Sequence, residues 1–235
     1  MIVGIVQTMD ANATFTDLET LSGEVVSCRA CPRLVAWREE VAATKRAAFA
    51  DQTYWGRAVP GFGDPQARVL TVGLAPAAHG ANRTGRMFTG DRSGDWLFAS
   101  LYRTGFSNQP TSVSADDGLE LTDLFLTAPV KCAPPDNQPT IAERDRCSGY
   151  LGNEIALVPW RVTVALGKYG FDALLRQTGW NGHKPKFSHG AEVALPDGRT
   201  LLGCYHVSQH NTFTGRLTEG MLDEVFARAR ELALG

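Results

Sequence analysis

Val69-Leu70-Thr71-Val72-Gly73-Leu74 is the first of four short apolar, β-branched runs, and its setting decides the fold class. It carries no charge, the composition of a strand covered on both faces. LFLTAPV at 124–130, VTVALG at 162–167 and TLLGCYHV at 200–207 repeat the pattern. Helical stretches follow each strand, at 95–104, 140–158, 169–178 and 218–234. The last sets Met221, Leu222, Val225, Phe226 and Ala229 on one face. Strand then helix, four times over, predicts an α/β fold: a three-layer α/β/α sandwich with a four-stranded parallel central sheet. Pro196-Asp197-Gly198 predicts a hairpin turn leading into the last strand. Upstream, 17–27 and 33–49 predict two helices, with Cys28 and Cys31 in the turn between them and Pro32 suited to a first helical turn. Trp55–Pro65 is a loop rich in Gly and Pro. Residues 1–15 predict a flexible N-terminal tail, and residues 16–235 a single domain.

Composition narrows the function classes. With 235 residues, 43% hydrophobic and 20% charged, the chain supports a sizeable core and is not a disordered polymer. A net charge of −2 excludes a globally basic nucleic-acid coat protein. A local basic groove is still permitted. Residues 161–220 hold Arg161, Lys168, Arg176, Lys184, Lys186, Arg199 and Arg216 against Asp172, Glu192, Asp197 and Glu219, together with four of the five histidines. That balance suits phosphate contacts. No apolar run nears the roughly 20 residues a bilayer needs, and the N-terminus lacks a basic segment before its short apolar start. The expectation is a cytoplasmic protein without a membrane partner. Five scattered cysteines fit a reducing compartment, where thiolates serve as ligands or core residues.

Chemistry concentrates after the strands. APAAHGANRTGRMFTGD follows the first, KCAPPDNQPT the second and SQHNTFTGR the last. Open parallel sheets place ligands at the carboxyl ends of their strands, so three distant loops converge on one crevice. They bring Gly, Asn, His, Asp, Arg and Phe. The first loop matches neither a P-loop nor a dinucleotide fingerprint. Asp91 precedes a helix, where it also suits a cap, and His206 ends the last strand. Cys28, Cys31, Cys132 and Cys147 form a candidate thiolate set for a structural Zn²⁺ or an iron–sulfur cluster. Cys204, inside a core strand, is a packed thiol.

Taken together, GLAPAAHGANRTGRMFTGD at 73–91, KCAPPDNQPT at 131–140, YHVSQHNTFTGRLT at 205–218, CRACPRLVAWREE at 28–40 and PGFGDP at 60–65 resemble the uracil-DNA glycosylase superfamily. Family 5, the type b iron–sulfur enzymes, is the nearest match, over roughly residues 28–232. The resemblance implies a [4Fe–4S] cluster on Cys28, Cys31, Cys132 and Cys147. It implies a monofunctional enzyme that hydrolyses the N-glycosidic bond of uracil, and of other deaminated bases such as hypoxanthine, in DNA, at the first step of base excision repair. Other families of the superfamily carry an acidic or amide side chain just after the first strand to handle the attacking water. Here that stretch is the apolar Gly73-Leu74-Ala75-Pro76-Ala77.

Roles follow for the matching positions. The target base leaves the stack to be reached. Phe88 would stack on it, Asn137 would read its Watson–Crick edge, and backbone groups of Gly73, Leu74 and Ala75 would complete the pocket. His206 would stabilise the departing base anion. Asp91 would orient water or stabilise the cationic sugar. Asn211 and Arg216 would grip the DNA. The implied partner is DNA holding a deaminated base, the implied site of action the nucleoid and the implied state a monomer. The non-catalytic alternative is an iron–sulfur DNA-binding module, and a phosphoester hydrolase built on Asp91 and His206 is a further one.

Overall fold

The structure is a computed structural model that describes residues 14–235. The chain runs through helices α1 (Leu18–Ser27) and α2 (Pro32–Thr44), a 3₁₀ turn at Ala47–Phe49, and strands β1 (Phe62–Gly63) and β2 (Val69–Val72). Next come α3 (Ala81–Thr84), α4 (Arg92–Arg103), β3 (Leu124–Thr127), α5 (Ile141–Leu157), β4 (Val162–Leu166) and α6 (Lys168–Gln177). Strands β5 (Glu192–Ala194) and β6 (Thr200–Cys204) and helices α7 (Gln209–Phe213) and α8 (Glu219–Leu234) close it.

The sheet has six strands in the order β1-β3-β2-β4-β6-β5. The four runs of the sequence pattern form its middle, each parallel to its neighbour, with Val69 opposite both Leu124 and Val162. The expectation of a four-stranded parallel sheet is corrected at the edges. Phe62–Gly63 pairs antiparallel with β3, and Glu192–Ala194 pairs antiparallel with β6 through the predicted hairpin. Both edge strands are short and incompletely buried, so neither carries the apolar run that betrays a central strand.

Residues alternate across β2 and β4 to feed two cores. Val69, Val162, Val164 and Leu166 meet Leu97 and Phe98 of α4 and Val225 and Phe226 of α8. Leu70, Val72 and Ala165 meet Leu151 and Ile155 of α5 and Phe171 and Leu174 of α6. Those are the two helical layers of the sandwich. A third cluster packs Leu21 and Val25 of α1 and Leu34 of α2 against Val130 and Tyr150, with Cys31, Cys132 and Cys147 among them.

Local chemistry sets the element ends. Asp17 accepts from the Thr20 amide and starts α1; Thr140 and Glu143 form a reciprocal capping box on α5. α2 begins at Pro32 as predicted, but ends at Thr44 rather than 49, where Lys45 turns left-handed (φ 55°) and the chain tightens into the 3₁₀ turn. α4 begins at Arg92, earlier than predicted, because Asp91 is its cap. Of the predicted tail, 1–13 lie outside the described residues, whereas Phe15 packs on the third cluster and its amide donates to Asn153 Oδ1 at 3.1 Å.

A buried ion pair crosses from sheet to helix. Lys131 and Glu154, 1% and 2% exposed, meet at 2.6 Å. The Thr127 hydroxyl and the Gly61 amide also donate to the Glu154 carboxylate, and the Lys131 carbonyl accepts from Val59. Removing one partner strands a buried charge. Glu154→Ala is therefore expected to cost about 3–5 kcal/mol of folding stability, and Lys131→Met with Glu154→Leu together much less than the sum. Urea denaturation of both singles and the double checks this; additive losses would contradict it.

Candidate active site and cysteine centre

Three strand-end loops meet around one cleft of about 630 Å³, a size suited to a small ligand. Leu74, Ala75 and Ala77 come from the loop after β2, Met87, Phe88 and Asp91 from its continuation, and Arg92 and Ser93 from the first turn of α4. Asn137 comes from the loop after β3; His206, Ser208, Gln209 and His210 follow β6. Of the predicted base-binding residues, Leu74, Ala75, Phe88 and Asn137 line the cleft directly. Gly73 does not; it lies beneath the Phe88 ring, where a Cβ would stand 2.7 Å from Phe88 Cζ.

Phe88 and Asn137 share an uncommon backbone. Both are left-handed, with φ of 54° and 55°. Asn tolerates this region; for a bulky aromatic it is strained, on the order of 1–3 kcal/mol, and such strain persists only where the surroundings impose it. The surroundings are two buried arginines. Arg86 donates to Thr89 Oγ1, Ser112 Oγ, Asp117 Oδ1 and the Ala115 carbonyl, and Arg83 donates to the carbonyls of His79 and Gly90.

Asp91 is the single carboxylate among the described residues that line the cleft. Its Oδ1 accepts from the Gly94 amide at 3.0 Å as it caps α4. Its Oδ2 presses on Gly80, where any Cβ would overlap it. Burial pushes this carboxyl above its ordinary range, opposed by the amides of Gly94 and Ser93 and by Arg83. His206 is half-buried by exposed surface yet deeply ringed by protein, and burial lowers its imidazole to about 4. It therefore stands neutral near pH 7, its ring 6.4 Å from that of Phe88.

The predicted DNA contacts lie at the rim or behind it. Asn211 does not line the cleft; its Nδ2 donates to the His206 carbonyl at 2.8 Å and so braces that residue. Arg216 is exposed, 4.6 Å from the Tyr205 ring centroid. Sequence reasoning gave no site role to Met87, Ala77, Arg92, Ser93, Ser208, Gln209 and His210, which also line the cleft. It also missed Phe213, which is 67% exposed with the Arg92 guanidinium 5.4 Å from its ring centroid. An aromatic stranded in a polar loop beside SQHN is the signal that was available for Phe213.

The four cysteines also converge. Cys28, Cys31, Cys132 and Cys147 line one small pocket with Leu34, Lys131, Arg146 and Tyr150. They are reduced, and among the described residues no group of three or more His, Cys, Asp or Glu is drawn together tightly enough to hold a metal ion as it stands. The donor set and its charge nevertheless fit a thiolate-bound group. Arg38, 1% exposed, makes no ion pair among the described residues; it donates to Cys132 Sγ at 2.9 Å and to the Cys28 carbonyl, and its Nε has no partner. The Lys131 amide donates to Cys147 Sγ at 3.3 Å. Burial pushes the Cys132 thiol up, and the buried Arg38 guanidinium beside its sulfur opposes this and favours the anion. Cys204 is buried in β6, as expected of a packing residue.

The fold is a mostly parallel α/β/α sandwich, and the described residues that line its cleft include one carboxylate, a histidine and an aromatic ring. The chain belongs to the uracil-DNA glycosylase superfamily, whose family model matches residues 60–230. It is 58% identical over 216 residues to the Type-5 uracil-DNA glycosylase of Mycobacterium bovis, covering 91% of this chain and 81% of that one. It is 52% identical to the Type-5 uracil-DNA glycosylase of Thermus thermophilus, covering 92% and 99%. The Type-4 uracil-DNA glycosylase of Sulfurisphaera tokodaii is 28% identical, over 92% and 85%. Among the described residues no helix is long and apolar enough to cross a membrane.

A histidine whose folded pKa lies below its unfolded value makes the unfolded state the better proton binder. Its contribution to stability is present above pH 6.5 and is lost as pH falls toward 4. The raised Asp91 carboxyl acts in the opposite sense. His206→Gln is therefore expected to flatten the loss of stability between pH 6.5 and 4, and NMR of the wild-type ring should show it titrating well below 6. Titration near 6.5 would refute this.

Proposed function

We propose that this chain is an enzyme of the DNA glycosylase class that excises uracil from DNA by hydrolysing its N-glycosidic bond, and that it also accepts other deaminated bases such as hypoxanthine. One observation carries the reading: Asp91 and His206 line the same cleft, which also holds Phe88 and Asn137. The base swings out of the duplex, at a cost of a few kcal/mol that is smallest for a mismatched pair. It stacks on Phe88, and the Asn137 amide offers a donor and an acceptor to its edge. The rim of Arg92, His210 and Arg216 takes the backbone, and exposed Phe213 enters the gap in the stack.

Cleavage leaves negative charge on the base and positive charge on the sugar. The neutral His206 imidazole donates one N–H to the forming base anion, a contribution of about 3–4 kcal/mol to the barrier. Asp91 faces the cationic sugar and the incoming water. Its carboxylate replaces the polar side chain that Gly73–Ala77 lacks, and the apolar wall of Leu74, Ala75 and Ala77 keeps bulk water from that face. The reading is of a monofunctional enzyme, in which hydrolysis leaves an abasic site and the strand uncut.

The reading includes a [4Fe–4S] cluster held by Cys28, Cys31, Cys132 and Cys147, with a structural role. When bound it would join the α1–α2 turn to the loop after β3 and to α5, and the chemistry it supplies is cross-linking. The buried Arg38 cation supports this. Purified protein is expected to contain iron and acid-labile sulfide at about four each per chain. Cys132→Ala should lose both, together with stability. A stable, fully active Cys132→Ala protein would overturn the structural role.

The test of activity uses end-labelled duplexes with uracil or hypoxanthine and an undamaged control. Alkali-dependent cleavage at the deaminated base alone, beyond one equivalent, is the expected result. His206→Ala should lower kcat by about 10²–10³-fold, and Asp91→Asn should lower it on the same duplexes. Strand scission without alkali would contradict a monofunctional glycosylase, and binding without release would favour a non-catalytic module.

A further inference from the structure

Arg83 lines no part of the cleft, yet it is 8% exposed and its guanidinium is spent on three separate segments. Nε donates to the His79 carbonyl at 2.8 Å, Nη1 to Gln52 Oε1 at 2.6 Å and Nη2 to the Gly90 carbonyl at 2.6 Å. Its plane also lies over the Phe49 ring, 3.9 Å from the centroid. It forms no ion pair among the described residues. A buried cation facing carbonyls is retained for geometry or for its field.

Each contact bears on the catalytic loop. Gly90 joins the strained Phe88-Thr89 turn to Asp91, and its amide is held from the other side by the Ser112 carbonyl at 2.8 Å. His79 precedes Gly80, the residue against which the Asp91 carboxylate rests. The same guanidinium thus grips the chain before both the floor under Asp91 and Asp91 itself. Gln52 and Phe49 anchor it to the segment that follows α2.

We infer that Arg83 is a positioning residue for base excision: it clamps the Gly90 and His79 carbonyls, and so fixes where the Asp91 carboxylate and the Phe88 ring meet the substrate. The catalytic half of this inference rests on the excision reading above; the clamp itself does not. The charged and titratable groups around Asp91 are Arg83 on α3, Arg92 and Asp95 on α4, His79 beside Gly80, and His206 and His210 of the same cleft. Arg83 is the cation that acts on the carboxylate from behind the site, away from substrate.

Arg83→Met and Arg83→Lys in the full chain separate clamp from charge. A lysine keeps the charge but reaches at most one of the three acceptors. In both variants the amides of Gly90 and Gly94 are expected to exchange hydrogen faster than in the wild type. Both should lower kcat on a uracil duplex, Arg83→Met by about 100-fold as expected of a misplaced reacting group, with KM little changed. The acid limb of kcat should move to higher pH in Arg83→Met and stay in place in Arg83→Lys, a split that general loosening does not produce.

Unchanged exchange at Gly90 and Gly94, or a loss confined to KM, would overturn the inference. If Arg83→Met fails to fold, Arg83→Lys carries the same exchange and kcat readouts. Faster exchange in the variants of a wild type that releases no uracil would uphold the clamp while refuting the excision reading. Unchanged exchange refutes the clamp whatever the wild type does.

Discussion

The Lys131–Glu154 pair is the joint on which the arrangement turns. Lys131 sits directly before Cys132 and six residues before Asn137; Glu154 sits two helical turns beyond Cys147 on α5. Through Thr127 the pair is fastened to β3, and through Gly61 and Val59 to the Pro60–Pro65 segment. A hydrophobic contact there would be non-directional. Two charges with additional donors fix an orientation, and with it the path of the loop that carries a cysteine and a cleft residue out of the sheet. The desolvation cost is met because each carboxylate oxygen has partners.

The cleft uses burial twice, with opposite consequences. The same loss of water raises an acid and lowers a base, so Asp91 and His206 move toward each other on the pH scale. Neither needs a strong partner for this. Arg83 and the α4 amides limit how far the acid rises, whereas nothing charged opposes the lowering of His206. On the proposed reading, a neutral imidazole would donate a hydrogen bond to the departing base anion without surrendering a full proton.

Much of this was legible in the residues, for stated reasons. Buried parallel strands are uniformly apolar, so Val69–Val72, Leu124–Thr127, Val162–Leu166 and Thr200–Cys204 announced themselves. Topology then required their following loops to meet, which placed Leu74, Phe88, Asp91, Asn137 and His206 at one cleft. Edge strands of two or three half-exposed residues have no such signature: β1 was invisible, and β5 was announced only by the turn at Pro196-Asp197-Gly198 that leads into β6. Asn211 and Arg216 were named for their chemistry, and their surroundings could not be read in advance: a short helix, α7, turns Asn211 onto the His206 carbonyl, and Arg216 stands exposed beside the Tyr205 ring. Arg83 and Arg86 were illegible as a class. A buried arginine looks like a surface one in sequence, and only its acceptors, most of them distant or backbone, reveal its task.

The lining of the cleft is of two kinds. In one, the Phe88 ring stands against the bare backbone of Gly73, and the Asp91 carboxylate rests on Gly80. Backbone has no rotamers, so that part behaves as a fixed gauge. In the other, Asn137, Gln209 and His210 are exposed side chains on short turns. They yield at the cost of a torsion. A pyrimidine and a larger purine would therefore seat against the same rigid datum, and the difference in their widths would be absorbed entirely by the compliant part. On the proposed reading, breadth of substrate would belong to the yielding part of the lining and precision of chemistry to the fixed part.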